Sequence, residues 1–259
     1  MKKLIRELEI LDNRSVARDQ FQLTLRGEEV LPEVMPGQFV NVAVPDSPQT
    51  FLRRPFSVLD FAPETNTLSL LIKAVGQGTR HLAACRVGQK LSLLLPLGRK
   101  FTLPESADRI FLIGGGSGIA PMLFLAKYCG LPREQVTLFL GARSRADAIA
   151  LRGYEQYARC YIATEDGSVG ERGFVTLHSI YKSEFTKNNR IYACGPAPML
   201  KAIAKDAVTT GIFYELSLEN MMACGFGVCL CCVEPTIYGN RTVCSHGPVF
   251  NINELTWQI

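Results

Sequence analysis

The sequence predicts an α/β plus all-β chain in three parts. These are an antiparallel β-barrel or sandwich over residues 1–100, a parallel α/β domain over 101–218 and a small cysteine-rich module over 219–259. Three observations predict it. Short alternating runs separated by Gly and Pro fill the first part. From Phe101 onward apolar strands alternate with helical patterns. From Glu219 the apolar periodicity stops, and five of the nine cysteines crowd together.

Residues 21–25 (FQLTL) alternate, and 38–44 (QFVNVAV) follow a Pro-Gly turn. Residues 56–61, 67–73 and 90–95 are further strands, and 79–84 form a short helix. In the second part, strands are expected at 109–113, 136–140, 160–163, 190–193 and 213–218. Helices are expected at 119–128, 173–181 and 198–208. The uncharged run 110–126 reads as strand, glycine turn and helix. A Gly-Gly-Gly-Ser-Gly cluster and Pro121 break it as a membrane span.

Apolar residues at 47% and charged residues at 20% exclude a disordered chain. A net charge of +4 is too small to make a nucleic-acid or anionic-membrane surface by itself. The start MKKLIRELEILDN has no apolar stretch of the signal-peptide kind, because Arg6, Glu7 and Glu9 interrupt it. A cytoplasmic protein is expected. In a reducing compartment, clustered cysteines bind metal or do redox chemistry rather than form disulfides.

Gly114, Gly115, Gly116 and Gly118 lie between a strand and a helix that opens Ile119-Ala120-Pro121. Glycines let the backbone approach a diphosphate, and the helix N-terminus offers free N–H groups. No Gly-Lys-Ser/Thr follows, so this is not a Walker loop. The alternative is a tight strand–helix connection without ligand. Cys194-Gly195-Pro196 ends another strand and enters another helix. In an open α/β sheet both turns fall on the carboxyl edge, where ligands bind. A plain helix start with Pro in its first turn is the other reading of that motif.

Cys224-x4-Cys229-x2-Cys232, with Cys244 further on, has the spacing of plant-type [2Fe–2S] loops. Gly225 and Gly227 free backbone N–H groups to face the sulfurs. Structural zinc is the alternative, and only Cys229/Cys232 has its usual pair spacing. Cys231 is expected to turn away into packing and remain a thiol. In the barrel half, Arg53-Arg54-Pro55-Phe56-Ser57 opens a strand. Leu71-Ile72-Lys73 leads through Gly76-Gln77-Gly78 to Thr79 at a helix start. Both segments suit a diphosphate ligand, and both also fit a solvated strand end and a hairpin.

Taken in order, Arg-Pro-Phe-Ser, Gly-x-Gly-Thr, Gly-Gly-Gly-x-Gly-Ile-Ala-Pro and Cys-Gly-Pro resemble the ferredoxin–NADP reductase superfamily over essentially the whole chain. The Cys-Gly-x-Gly-x-Cys-x-x-Cys run and Cys244-Ser-His-Gly-Pro-Val-Phe250 resemble the electron-transfer subunit of type B, NAD-dependent dihydroorotate dehydrogenase. The resemblance implies an FAD-binding β-barrel, a Rossmann-like NAD (NADH) domain and a C-terminal [2Fe–2S] module. It implies FAD contacts at Arg54, Pro55, Phe56, Ser57, Leu71, Ile72 and Lys73, with a diphosphate turn at Gly78 and Thr79. It implies cluster ligands at Cys224, Cys229, Cys232 and Cys244, with Cys194 and Glu219 near nicotinamide and flavin.

The implied function is electron transfer in pyrimidine (UMP) synthesis. Electrons pass from the FMN of a separate dihydroorotate dehydrogenase catalytic subunit, through [2Fe–2S] and FAD, to NAD+, in a heterotetramer with two copies of each subunit. No acid–base pair is required, so His81, His178 and His246 are read as surface or packing residues. An apolar surface near the cluster is expected to meet the partner. Two alternatives stand beside this reading. One is a flavin/iron–sulfur subunit of an electron-bifurcating NAD(P)H:ferredoxin oxidoreductase or sulfide dehydrogenase. The other is a zinc-stabilised, non-catalytic nucleotide-binding module. Arg143 and Arg145 follow a strand end where a 2′-phosphate of NADP would lie.

Overall fold

The computed structural model of the chain describes residues 2–181, 183–186 and 188–257. The first part closes into a six-stranded antiparallel barrel. Its strands are β1 (Leu4–Ala17), β2 (Gln20–Gly27), β3 (Phe39–Val42), β4 (Arg54–Ala62), β5 (Thr67–Lys73) and β6 (Lys90–Leu97), in the order β1-β2-β5-β4-β3-β6. Closure leaves no free edge. Alternation fills the barrel, since Leu23 and Leu25, Leu68 and Leu70, and Leu91, Leu93 and Leu95 all point into one core.

Sequence reading missed β1. Its register puts Leu8 and Ile10 inside and Glu7 and Glu9 outside or at the edge. The strand serves two neighbours, pairing β6 through Leu4–Glu9 and β2 from Leu8 onward, with irregularities at Ile10/Asp12 and Ser15/Ala17. The short helix α1 (Gln77–Ala83) lies between β5 and β6.

The second part is a seven-stranded sheet. Its parallel strands are β7 (Arg109–Gly115), β8 (Val136–Ala142), β9 (Arg159–Thr164), β10 (Glu171–Arg172), β11 (Asn189–Cys194) and β12 (Phe213–Ser217), in the order β10-β9-β8-β7-β11-β12. Chain order reverses between β7 and β11, which makes that gap the ligand crevice of a doubly wound sheet. Helix α2 (Ile119–Tyr128) packs with residues 149–158 on one face. Helix α3 (Ala197–Thr210) packs with Val175 and Tyr181 on the other.

From Ile119 to Ala126, helix α2 is apolar all round because it is covered on both sides, by the sheet and, through Phe124, by the barrel core. Lys127 Nζ pairs with Asp60 of β4 at 2.7 Å and ties its end to the barrel. The helix expected at 173–181 is a correction, for only Val175–Leu177 make a single 3₁₀ turn. A helix there would bury Phe174, Leu177 and Tyr181 on one stripe. Instead Val175 and Tyr181 are buried while Phe174 and Leu177 are exposed.

The cysteine-rich part holds a hairpin of β13 (Val233–Thr236) and β14 (Gly239–Thr242), one turn of helix α4 (Val243–His246), and β15 (Val249–Asn251). Strand β15 pairs antiparallel with β12 and becomes the seventh strand of the α/β sheet. Among the described residues, no helix is long and apolar enough to cross a membrane.

Candidate functional site

The two glycine turns meet at the crevice. Gly114 and Cys194 are register partners at the carboxyl ends of β7 and β11. Gly118 stands against β11 so closely that a Cβ there would lie 2.5 Å from the Cys194 carbonyl oxygen. A Cβ on Gly115 would lie 2.7 Å from Pro196 Cδ. Gly115, Gly116 and Pro196 line a cavity of ≈ 570 Å³ that continues past Gly141 and Arg143 to Glu165 and Phe174. Gly114 and Gly118 are spacers for the turn and do not line it. Cys194 is fully buried behind it.

A second cavity of ≈ 250 Å³ lies where all three parts of the chain meet. Pro55, Phe56, Ser57, Leu71 and Thr79 come from the barrel half and Ser117 from the glycine turn. Leu218, Glu219 and Pro248 come from the C-terminal part. Lys73, at the end of β5, lines both cavities. Ile72 departs from the expectation for a contact side chain, because alternation turns it into the barrel core.

The neighbouring arginines have different tasks. Arg53 is half-buried against the outer side of β6 and donates to Ser92, to its carbonyl oxygen at 2.6 Å and its Oγ at 2.9 Å. Arg54 turns to the start of α1, its Nε 3.3 Å from where a Cβ on Gly78 would lie. Thr79 Oγ1 accepts from Gly76 N at 3.0 Å and fixes the start of α1.

Glu219 forms one wall of the smaller cavity, and Cys194 Sγ donates to its Oε1 at 3.8 Å. Burial raises the Glu219 carboxyl above the usual carboxylate range. Burial, reinforced by Glu219, raises the Cys194 thiol well above its usual value. Burial thus disfavours the charged form of both groups at this corner.

The thiols fall into two pairs. Cys229 N donates to Cys224 Sγ at 3.4 Å, and Cys244 N donates to Cys232 Sγ at 3.4 Å. Among the described residues no three potential ligands are drawn to a single metal position. Pairs suit a two-iron cluster, which takes two ligands per iron, better than a single tetrahedral zinc. Burial opposes ionisation of Cys224, but the backbone N–H groups of Phe226, Cys229 and Val228 and the Cys229 thiol outweigh it and bring the thiol down to about 6. Burial, the Cys232 thiol and the charge of Cys224 push Cys244 up to about 12. A cationic group held between the pairs would favour the thiolate of Cys244, and the irons of a cluster would supply one, so the donor set fits an iron–sulfur cluster.

Cys231 corrects one expectation, since it turns outward and is exposed rather than packed. The loop is docked on the barrel by Asn41, whose Nδ2 donates to the Cys224 carbonyl oxygen at 3.2 Å. Asn41 is the register partner of Pro55, so the cluster loop adjoins the smaller cavity. Sequence reading missed Asn41, Asn220, Met222 and Pro248. The only signal available was the rule that ligands gather at strand carboxyl ends, which covers residues 219–220 after β12.

Three family models match in the same order. An oxidoreductase FAD-binding domain covers residues 7–102, an oxidoreductase NAD-binding domain 112–205, and the iron–sulfur cluster binding domain of dihydroorotate dehydrogenase B 219–256. The dihydroorotate dehydrogenase B (NAD(+)) electron transfer subunit of Shouchella clausii is 38% identical, over 98% of this chain and 99% of its own. The corresponding subunit of Fusobacterium nucleatum is 32% identical, over 95% and 96%. Among solved structures, an NADH-dependent reduced ferredoxin-NADP oxidoreductase studied for flavin-based electron bifurcation superposes with a TM-score of 0.84. It shares 28% identity, over 96% of this chain and 90% of its own. Full-length kinship, the three matched domains and the paired thiols agree: the chain belongs to the family of electron transfer subunits of dihydroorotate dehydrogenase B (NAD(+)).

Proposed function

We propose that this chain carries electrons between a dihydroorotate-oxidising catalytic subunit and NAD+, as a cytoplasmic heterotetramer with two copies of each subunit. The observation that carries this reading is the junction at Asn41. It docks the cysteine loop beside the barrel cavity, which Ser117 and Lys73 connect to the sheet crevice. When bound, the cluster supplies single-electron transfer and FAD supplies the exchange between single electrons and a hydride. The chain's own residues hold and tune these groups.

Cys224 with Cys229, and Cys232 with Cys244, are the proposed cluster ligands. Backbone N–H groups aimed at their sulfurs stabilise the added negative charge. Pro55, Phe56, Ser57 and Leu71 form the proposed flavin wall, with Arg54, Gly78 and Thr79 at its diphosphate. Gly115, Gly116, Gly195 and Pro196 let a dinucleotide diphosphate approach the ends of β7 and β11. Lys73 stands between the two cavities and offers a cation to either diphosphate. Cys194 and Glu219 close the corner between the cavities with buried groups whose charged forms are disfavoured.

The partner's side of the relay is proposed at the cluster loop. Met221, Val228 and Leu230 there are 85%, 73% and 65% exposed, with Phe226 beside them. Apolar side chains concentrated around an electron exit mark a docking face. The likeness to the bifurcating oxidoreductase favours a second reading, in which the same three sites serve bifurcation with a larger flavin/iron–sulfur partner. Isolation of the complex from its own cells, with mass spectrometry of what accompanies the chain, separates the two. Recovery of an FMN-containing dihydroorotate dehydrogenase subunit supports the first reading. Recovery of a larger flavin/iron–sulfur subunit replaces it with the second.

A further inference from the structure

The larger cavity has a chemically distinct far end. It runs from the Gly115–Gly116 turn to the tips of β8 and β9. In a sheet of this order a dinucleotide lays its diphosphate on the first glycine turn and its adenosine over the tip of the next strand. There an acidic side chain accepts the ribose 2′-hydroxyl. The tip of β8 carries Gly141, Ala142 and Arg143, and no acid. The neighbouring strand supplies one. Glu165 N donates to the Ala142 carbonyl at 3.1 Å and Asp166 N to that of Arg143 at 3.2 Å, so the two tips lie side by side.

The charged groups on this rim differ in what already holds them. Asp166 Oδ1 accepts from Ser168 N at 3.0 Å and Oγ at 2.6 Å. Arg145 Nε donates to the Ser168 carbonyl at 3.2 Å, and Asp147 Oδ2 accepts from Ser144 Oγ at 2.7 Å. These three are committed to their own loops. Glu165 and Arg143 are exposed and line the cavity, and their side chains have no hydrogen-bond or ion-pair partner among the described residues. Phe174 adjoins them, because Gly173 N bonds to the Thr164 carbonyl at 2.8 Å. Its ring, 61% exposed, lines the same cavity.

We propose that Glu165 reads the adenosine ribose of the dinucleotide. Its carboxylate accepts the 2′-hydroxyl and repels a 2′-phosphate, and so selects NAD(H) over NADP(H). The proposal rests on the reading of this cavity as the dinucleotide site. A hydroxyl donates to a carboxylate. A phosphate in its place only accepts, and it brings like charge into contact. Phe174 and the planar Arg143 guanidinium give the base two surfaces to stack on, which occupies Arg143 away from the ribose.

Titration calorimetry of the full-length holoprotein with 5′-AMP and with adenosine 2′,5′-bisphosphate tests this without turnover. The wild-type chain is expected to prefer 5′-AMP. Glu165→Gln lowers that preference roughly ten-fold or more, whereas Arg143→Ala leaves the preference for 5′-AMP in place or raises it. The NADH-to-NADPH ratio of kcat/KM follows the same order. Glu165 is exposed, and an unchanged melting temperature verifies that the variant is folded. A wild-type preference for the bisphosphate overturns the proposal. So does an unchanged preference in Glu165→Gln while 5′-AMP still binds, and in both cases the dinucleotide site stands. If neither nucleotide binds wild-type protein and NADH does not reduce its flavin, the dinucleotide reading falls and this proposal with it.

Discussion

Gly225 carries two constraints that no other residue type meets together. Its φ of +77° lies in the left-handed region, and a Cβ there would strike the Asn41 amide that docks the cluster loop. Left-handed strain alone costs about 1–3 kcal/mol, and losing the Asn41 bond adds about 1 kcal/mol. Gly225→Ala is therefore expected to lower the melting temperature and to reduce the iron retained per chain, read by metal analysis. Full iron content at unchanged stability would show that the loop does not depend on this contact. The glycine was legible from its place between two cysteines. Asn41 was not, because its partner Cys224 is 183 residues away.

Glu219 sets a pH dependence at the same scale. Its carboxyl is raised by burial, so the folded chain keeps a proton that the unfolded chain releases at lower pH. That contribution is complete below the ordinary carboxylate range. It is lost as pH rises from there through the raised value. Glu219→Gln should flatten this part of the stability profile, measured by denaturant unfolding at successive pH values. An identical slope in wild type and variant would place the titration elsewhere.

Among the elements, the turn between β7 and α2 has the least room. Gly118→Ala would press a methyl on the β11 backbone at Cys194, which cannot yield as a flexible side chain does. The expected result is at least ten-fold weaker NADH binding, with flavin retained, since the barrel cavity is formed by other residues. Loss of flavin together with NADH would show that the turn supports the whole junction instead.

Elements with strong local signals were readable from sequence. The glycine turn, the largely apolar α2 and strands β7 and β8 depend on neighbours close in the chain. Strand β1 was missed because its charged residues mask a two-residue period, and because its two halves pair with different strands. Residues 173–181 misled in the opposite way. Their apolar spacing is helical, but the sheet buries Val175 and Tyr181 and leaves Phe174 and Leu177 outside. The antiparallel β15 depends on β12, more than thirty residues earlier, and no local pattern announces it.

At the scale of the whole molecule, the third part is not freestanding. Cys232 and Cys244 belong to the same buried cluster as Phe39 of the barrel, Leu216 of β12 and Phe250 of β15. Cluster binding, barrel and sheet are thereby joined through one core. That coupling suits a relay, because electron carriers held by separate bodies would change their spacing as the bodies moved. The order of the three parts was visible in the sequence. Their mutual contact at the smaller cavity was not, since it gathers Pro55, Ser117, Glu219 and Pro248 from across the chain.

The most direct test of the relay is dihydroorotate-dependent reduction of NAD+ by this chain copurified with its catalytic partner, beside each subunit alone and beside a Cys229→Ser complex. The account predicts NAD+ reduction by the intact complex only. It also predicts a flavin and two irons per copy of this chain, with at least a hundred-fold loss of rate in the Cys229→Ser complex. NAD+ reduction by the catalytic subunit alone, or an intact rate in the Cys229→Ser complex, would contradict it.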